Sequence, residues 1–275
     1  MLPNLVIIGA AKAGTSSLHY YLGLHPEISM SATKELRFFS HDREWARGVD
    51  WYASQFEGEA RVHGEASPSY TMFPRYPESA GRLRQVLPAA KLIYLVRDPI
   101  ARIVSHYLFA HAGGREPRSF DEATGAPDSR YVACGLYYTQ IARYLEHFAR
   151  EQILVIAQED LADAFRPTMQ TVFRFLGVDD AFWSPAFGLR LNEGRGRRAT
   201  PFGRRLRRLN RLALVQRIPM AWRLAAGRYL YRPFSTAVDR PTVTDERRAD
   251  LAARLGDDLR RFRDWTGRDF PDWSI

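Results

Sequence analysis

The stretch from Leu5 to Ser17, LVIIGAAKAGTSS, constrains this chain more than any other. An apolar run ends in Gly9, a second glycine follows at Gly14, and the hydroxyl residues Thr15, Ser16 and Ser17 open what comes next. A strand, a glycine-rich turn and a helix in that order aim backbone N–H groups and the positive end of the helix dipole at one spot, which suits a phosphate. The glycine spacing is that of a nucleotide-binding P-loop. Such a loop carries its lysine directly after the second glycine, where this chain has Thr15; its lysine is Lys12, inside the turn. A lysine there stands beside a group attached to the bound phosphate, not farther along a triphosphate. The loop therefore fits a shorter donor. A solvated lysine in an ordinary β–α turn is the plainer reading, and strand, spacing, lysine and hydroxyls together outweigh it.

Short β-rich runs alternate with helical patterns along the 275 residues: LVIIG (5–9), RVHGEA (61–66), KLIYLVR (91–97) and QILVIA (152–157). Between them lie TSSLHYYLGL, the stretch after Asp98, and GLYYTQIARYLEHFA, in which Tyr137, Ile141, Leu145 and Phe148 share one helical face. Leu251, Leu255, Leu259, Phe262 and Trp265 mark another amphipathic helix. The alternation predicts a single α/β domain spanning 1–275, with a central parallel β-sheet flanked by helices and a P-loop-like nucleotide-binding fold. Ligands in such folds bind beyond the carboxyl ends of the strands. Residues 113–128 read as a surface loop or lid, with Ser119 and Glu122 spaced as a capping box.

A second anion site is written in KLIYLVRDPIARIVSHY, residues 91–107. A strand delivers Arg97 at its carboxyl end, Asp98-Pro99 starts a helix, and Ser105 lies two turns along it. A guanidinium and a hydroxyl presented together bind an anion. Taken alone, Arg-Asp-Pro reads equally well as an ion pair at a helix start.

Both motifs, in this order and spacing, resemble those of the sulfotransferases that use 3′-phosphoadenosine 5′-phosphosulfate (PAPS), in particular the heparan-sulfate-type and related bacterial branch. The resemblance extends over nearly the whole chain, through KELRFF (34–39), GVDWYASQF (48–56), GEASPSY (64–70), ILVIAQEDL (153–161), FLGV (175–178) and GRDFPDW (267–273). It implies that Lys12, Ala13, Gly14, Thr15 and Ser16 hold the 5′-phosphosulfate and that Arg97 and Ser105 hold the 3′-phosphate. PAPS is then the donor co-substrate, and no metal is expected.

Sulfuryl transfer needs the leaving phosphate oxygen stabilised as it gains charge, a role Lys12 is placed to fill. It also needs a base for the acceptor proton. Glu35 of KELRFF matches the glutamate that serves as base in heparan-type relatives; on its own it reads as a solvated acid before the Phe38-Phe39 pair. Lys34 either orients the sulfuryl group or is simply exposed. His41, His63 and His106 are weaker candidates, since nothing in their spacing marks a base. After the phenylalanine pair some of those relatives have an acid where this chain has Ser40, and in GEASPSY they have a lysine where it has Ala66. A heparan-like acceptor is therefore not implied. Carbohydrate, glycolipid, lipid alcohol and aromatic metabolite all stay open, as do oxygen and nitrogen as the attacking atom.

Of the formal charge of +9, the segment 190–232 carries +12, from thirteen arginines against Glu193, which leaves −3 for the rest. Only Lys12, Lys34 and Lys91 are lysines, and two of them fall in the motifs. GRGRRATP resembles the basic loop that closes over the donor in relatives, which brings Arg195, Arg197 and Arg198 to its phosphates. Leu206, Leu209 and Ala213 make 203–217 a basic amphipathic helix suited to peripheral contact with an anionic membrane, or to a solvated face. No nucleic-acid-binding module and no transmembrane segment appear. With Cys134 the only cysteine and no signal peptide or anchor, the expectation is a soluble, bacterial, cytoplasmic enzyme. Two other classes compete: a P-loop kinase-like phosphotransferase, weakened by the displaced lysine, and a non-catalytic binder of acidic polymers or membranes through 190–232.

Overall fold

A computed structural model describes residues 1–188, 197–199 and 235–275. The elements run β1 (Leu5–Gly9), α1 (Thr15–Leu22), β2 (Ile28–Met30), α2 (Asp42–Trp45), α3 (Gly48–Ala53), β3 (Val62–Ala66), α4 (Ser79–Val86), β4 (Lys91–Val96) and α5 (Pro99–Ala112). They continue with α6 (Phe120–Gly125), α7 (Arg130–Ala133), α8 (Tyr137–Leu145), β5 (Ile153–Ala157), α9 (Gln158–Asp163), α10 (Phe165–Leu176), β6 (Arg197–Ala199), β7 (Ser235–Ala237) and α11 (Asp245–Thr266).

Five strands form one parallel sheet in the order β2-β3-β1-β4-β5. Every residue of β1 and β3 is buried, as is β4 after its first residue. Alternate residues of a strand face opposite sides, so burial of all of them means the sheet is covered on both faces, the condition for an all-parallel sheet. The four strands expected from the sequence are all present. The fifth, β2, pairs with β3 and is only three residues long, too short to show a period. The chain leaves β1 toward β2 on one side and leaves β4 toward β5 on the other. The carboxyl ends of the neighbouring strands β1 and β4 therefore flank the crevice where such folds bind ligands.

The amphipathic patterns hold. Tyr137, Ile141 and Phe148 are buried and Leu145 packs beside them. In α11, Leu251, Leu255, Leu259 and Phe262 enter the core and Trp265 packs against it. In 113–128, Ser119 and Glu122 form the reciprocal capping box of α6. β6 and β7 pair antiparallel, Arg197 opposite Ala237, and β6 runs beside α5. Arg195 and the helix expected over 203–217 lie outside the described residues. No helix among the described residues is long and apolar enough to cross a membrane.

Candidate active site

The loop after β1 is shaped by close packing. A Cβ on Gly9 would lie 1.8 Å from Thr71 Oγ1, and that hydroxyl donates to the Ile8 carbonyl at 3.0 Å, so only glycine fits. Gly14 sits at φ 101° and caps α1 without a side chain. The first N–H groups of a helix lack intrahelical acceptors. Here Ser17 and Leu18 N–H both donate to the Gly14 carbonyl (2.9 and 3.1 Å). The N-terminal end of α1, with Thr15 and Ser16 in its first turn, follows directly on the loop from the carboxyl end of β1. Lys12 has φ 73°, and its Nζ lies 4.3 Å from the centre of the Phe109 ring. Burial, reinforced by Arg97, lowers its pKa below the ordinary lysine value, while Glu35 acts in the opposite sense.

Arg97 leaves the end of β4 and crosses to the loop, where Nη1 donates to the Lys12 carbonyl at 3.5 Å. Both anion motifs therefore meet. The Arg97 carbonyl accepts the Tyr137 hydroxyl at 2.6 Å. Asp98 fixes the corner: Oδ1 accepts Ala101 N–H at 2.6 Å, capping α5, and Oδ2 accepts both Ser274 N–H (2.6 Å) and Ser274 Oγ–H (2.7 Å). Asp98 N–H in turn donates to Glu159 Oε1 at 3.0 Å. Ser105 follows two turns along α5, half-buried.

Glu35 projects from a turn held against β3, its own N–H donating to the Ala66 carbonyl at 3.1 Å. Its two oxygens accept from different cations, Oε1 from Lys34 Nζ at 3.2 Å and Oε2 from Arg37 Nη2 at 2.7 Å. Burial would raise its pKa, but Lys34 and Arg37 outweigh that and hold it below the usual glutamate value. The carboxylate is part-exposed, at 37% for the side chain, and so reachable by a substrate. Lys12 thus lies within the electrostatic reach of both Arg97 and the Glu35 carboxylate, which act on its charge in opposite senses.

A family model described as "Sulfotransferase domain" matches residues 2–183, the span holding all three elements. The chain belongs to the sulfotransferase family. It is 30% identical over 190 residues to heparan sulfate glucosamine 3-O-sulfotransferase 5 of Mus musculus, covering 64% of this chain and 54% of that enzyme. Over 114 residues it is 41% identical to the membrane-associated sulfotransferase kil1 of Dictyostelium discoideum, covering 40% of this chain and 23% of that one. The chain thus spans about half the length of the first of these relatives and less of the second. A sulfotransferase structure from Alicyclobacillus acidocaldarius superposes with a TM-score of 0.61 at 32% identity, covering 81% of this chain and 99% of that one.

This sulfotransferase-family chain also relies on a residue that the sequence reading passed over. Glu65, fully buried in β3, accepts from Tyr52 (2.9 Å), Tyr70 (2.6 Å) and Ser67 (2.7 Å), and burial raises its pKa. Ser67 Oγ also accepts Arg37 N–H at 3.0 Å, so Glu65 anchors the Glu35 turn from behind. Its sequence signal was an acid inside an otherwise buried strand, followed by hydroxyl residues. Among the described residues, His41, His63 and His106 make no hydrogen bond to Lys12, Arg97 or Glu35. His106 packs on Tyr131 and meets Arg102, His41 stacks on Tyr76, and both ring nitrogens of His63 lack partners among the described residues.

Proposed function

We propose that this protein transfers a sulfuryl group from PAPS to an acceptor hydroxyl, releasing adenosine 3′,5′-bisphosphate without a metal. The 5′-phosphosulfate is held by the backbone of Ala13 and Gly14, the first turn of α1 at Thr15 and Ser16, and Lys12. The 3′-phosphate is held by Arg97 and Ser105, with Arg195, Arg197 and Arg198 as further cations. The acceptor oxygen attacks sulfur, Glu35 takes its proton, and Lys12 stabilises the phosphate oxygen as the bond to sulfur breaks. Family membership supports this reading, and one observation carries it: Arg97 Nη1 donates to the Lys12 carbonyl, which brings the two anion motifs together.

Calorimetric titration of adenosine 3′,5′-bisphosphate without magnesium tests it, with ATP as comparison. Lys12→Ala and Arg97→Ala should each weaken binding about 10- to 100-fold, as expected for one charge-assisted contact to phosphate. Magnesium-dependent binding of ATP in place of the bisphosphate would make the protein a phosphotransferase.

A further inference from the structure

Both Glu35 oxygens accept from cations, and a carboxylate in that state is a weak base. His19 bears on this difficulty. It lies on α1 one turn past Thr15, only 7% exposed, and its Nε2 has no hydrogen-bond partner among the described residues. The ring bonds the backbone of Ser31, ahead of Lys34 and Glu35, in the sense that favours a protonated nitrogen there. The ring nitrogen facing Ser31 is therefore the donor, and Nε2 is a bare lone pair inside the protein, an uncommon state for a buried polar atom. Burial and then the Lys34 ammonium lower His19 to about 4, so the imidazole is neutral at neutral pH. The Lys34 side chain is 14% exposed, and its charge acts on Lys12 and Glu65 as well as on Glu35 and His19. Its bond to Glu35 Oε1, at 3.2 Å, is the longer of the two contacts to that carboxylate.

Resting on the sulfotransferase reading above, we infer that His19 is a positioning residue whose Nε2 is a second binding position for the Lys34 ammonium, taken up when Glu35 receives the acceptor proton. Before transfer, Lys34 stays on the carboxylate and keeps it charged. The acceptor oxygen then bonds to sulfur, the sulfur–oxygen bond to the 5′-phosphate breaks with its electron pair left on the phosphate, and the acceptor proton passes to Glu35. A neutral carboxyl holds an ammonium far less strongly than a carboxylate does. Lys34 keeps its three protons and turns one of them to the imidazole lone pair, which a neutral histidine offers and a charged one does not. Glu35 can then be protonated without leaving a buried ammonium unpaired, a cost that would otherwise oppose the transfer.

The test is crystal structures of Glu35→Ala and Glu35→Gln, with and without adenosine 3′,5′-bisphosphate, read with nitrogen NMR of the His19 ring at neutral pH. Removing the carboxylate charge should bring Lys34 Nζ to about 2.7–3.2 Å from His19 Nε2 and move the Nε2 resonance from that of a free lone pair to that of a hydrogen-bonded one. A double-mutant cycle in denaturant unfolding adds a readout that packing alone would not move. His19→Phe, which offers no lone pair, should lower the folding equilibrium constant about tenfold more in Glu35→Ala than in the native protein. His19→Gln, whose amide oxygen accepts, should remove most of that difference. Lys34 away from His19 in Glu35→Ala would overturn the inference, as would a native ring protonated on Nε2. Equal costs of His19→Phe in the two backgrounds would reduce His19 to packing and overturn it too; if that variant does not fold, the Glu35 structures and the ring spectrum decide. Bisphosphate affinity should be the same in the native protein and the His19 variants. Failure of the native protein to bind the bisphosphate would overturn the donor reading itself, an outcome distinct from these.

Discussion

Lys12, Glu35 and Arg37 share an uncommon backbone state: all three have positive φ (73°, 64° and 57°), and among the described residues only Phe270 joins them outside glycine. Such conformations cost of order 1–3 kcal/mol each and persist where surrounding structure holds them. For Glu35 and Arg37 the holding groups are the Ala66 carbonyl, Ser67 and Glu65, and at Lys12 the Arg97 guanidinium bonds the carbonyl. On the proposed roles of Glu35 and Lys12, these charges should set the pH profile. Because Glu35 lies below the ordinary 4.5, it stays deprotonated to lower pH, so the acid limb of kcat/KM falls below that value. Lys12 lies below the ordinary 10.5, so activity declines on the basic side before that pH is reached. Lys34→Ala should move the acid limb upward, which a kcat/KM profile from pH 3 to 10 would detect. Glu35→Gln should lower kcat by about 10²- to 10⁴-fold while leaving bisphosphate affinity intact, the signature of a lost general base. Equal losses in both would assign Glu35 to donor binding.

Two connecting elements are tied to distant parts of the chain. The corner after β4 is tied to the end of the chain through Asp98 and Ser274, and Glu159, which accepts Asp98 N–H, also accepts Trp273 Nε1–H at 3.4 Å. Asp98→Ala removes the cap of α5 and leaves Ser274 without its acceptor, so a loss of about 1–3 kcal/mol in thermal or denaturant unfolding is expected. Bisphosphate affinity should fall with it, since Arg97 is the preceding residue. The segment 113–128 is bound just as firmly. Glu116 is bonded by Arg118 (2.9 Å) and Tyr131 (2.9 Å), and Arg254 of α11 donates to the Thr124 and Ala126 carbonyls (2.7 and 2.9 Å). The Arg118 hydrogen bonds, against the opposing effect of burial and with help from Tyr131, bring Glu116 down to about 2. A depressed carboxyl stabilises the fold above its ordinary 4.5 and loses that contribution as pH falls toward about 2. The melting temperature should drop over that window, and Glu116→Gln should flatten the drop.

At the scale of the molecule, the central position of β1 couples donor binding to stability. The loop between β1 and α1 grows from the middle of the sheet, between β3 and β4, so a ligand held there favours the folded state of the whole domain. Saturation with adenosine 3′,5′-bisphosphate at about 100 times Kd should add about 2.7 kcal/mol to unfolding stability, and Lys12→Ala and Arg97→Ala should lose most of that gain at the same concentration. Differential scanning calorimetry with and without ligand checks this.

Local chemistry was enough to read four of the five sheet strands, the glycine-bound loop, the Asp98-Pro99 helix start and the α6 capping box, because each is written within a few consecutive residues as a period, a spacing or a cap. Lys12 could be singled out for the same reason, whereas Arg97 and Glu35 stood out only through the resemblance to PAPS-dependent sulfotransferases. The sequence could not show that they converge, since residues 12, 35 and 97 are brought together only by the parallel order β3-β1-β4. Nor could it show the support of Glu65 behind Glu35, the tie of Ser274 to Asp98, or the exposure of Phe109 beside Lys12. Those are contacts between segments far apart in the chain, fixed by how the sheet and helices pack and not by local propensity.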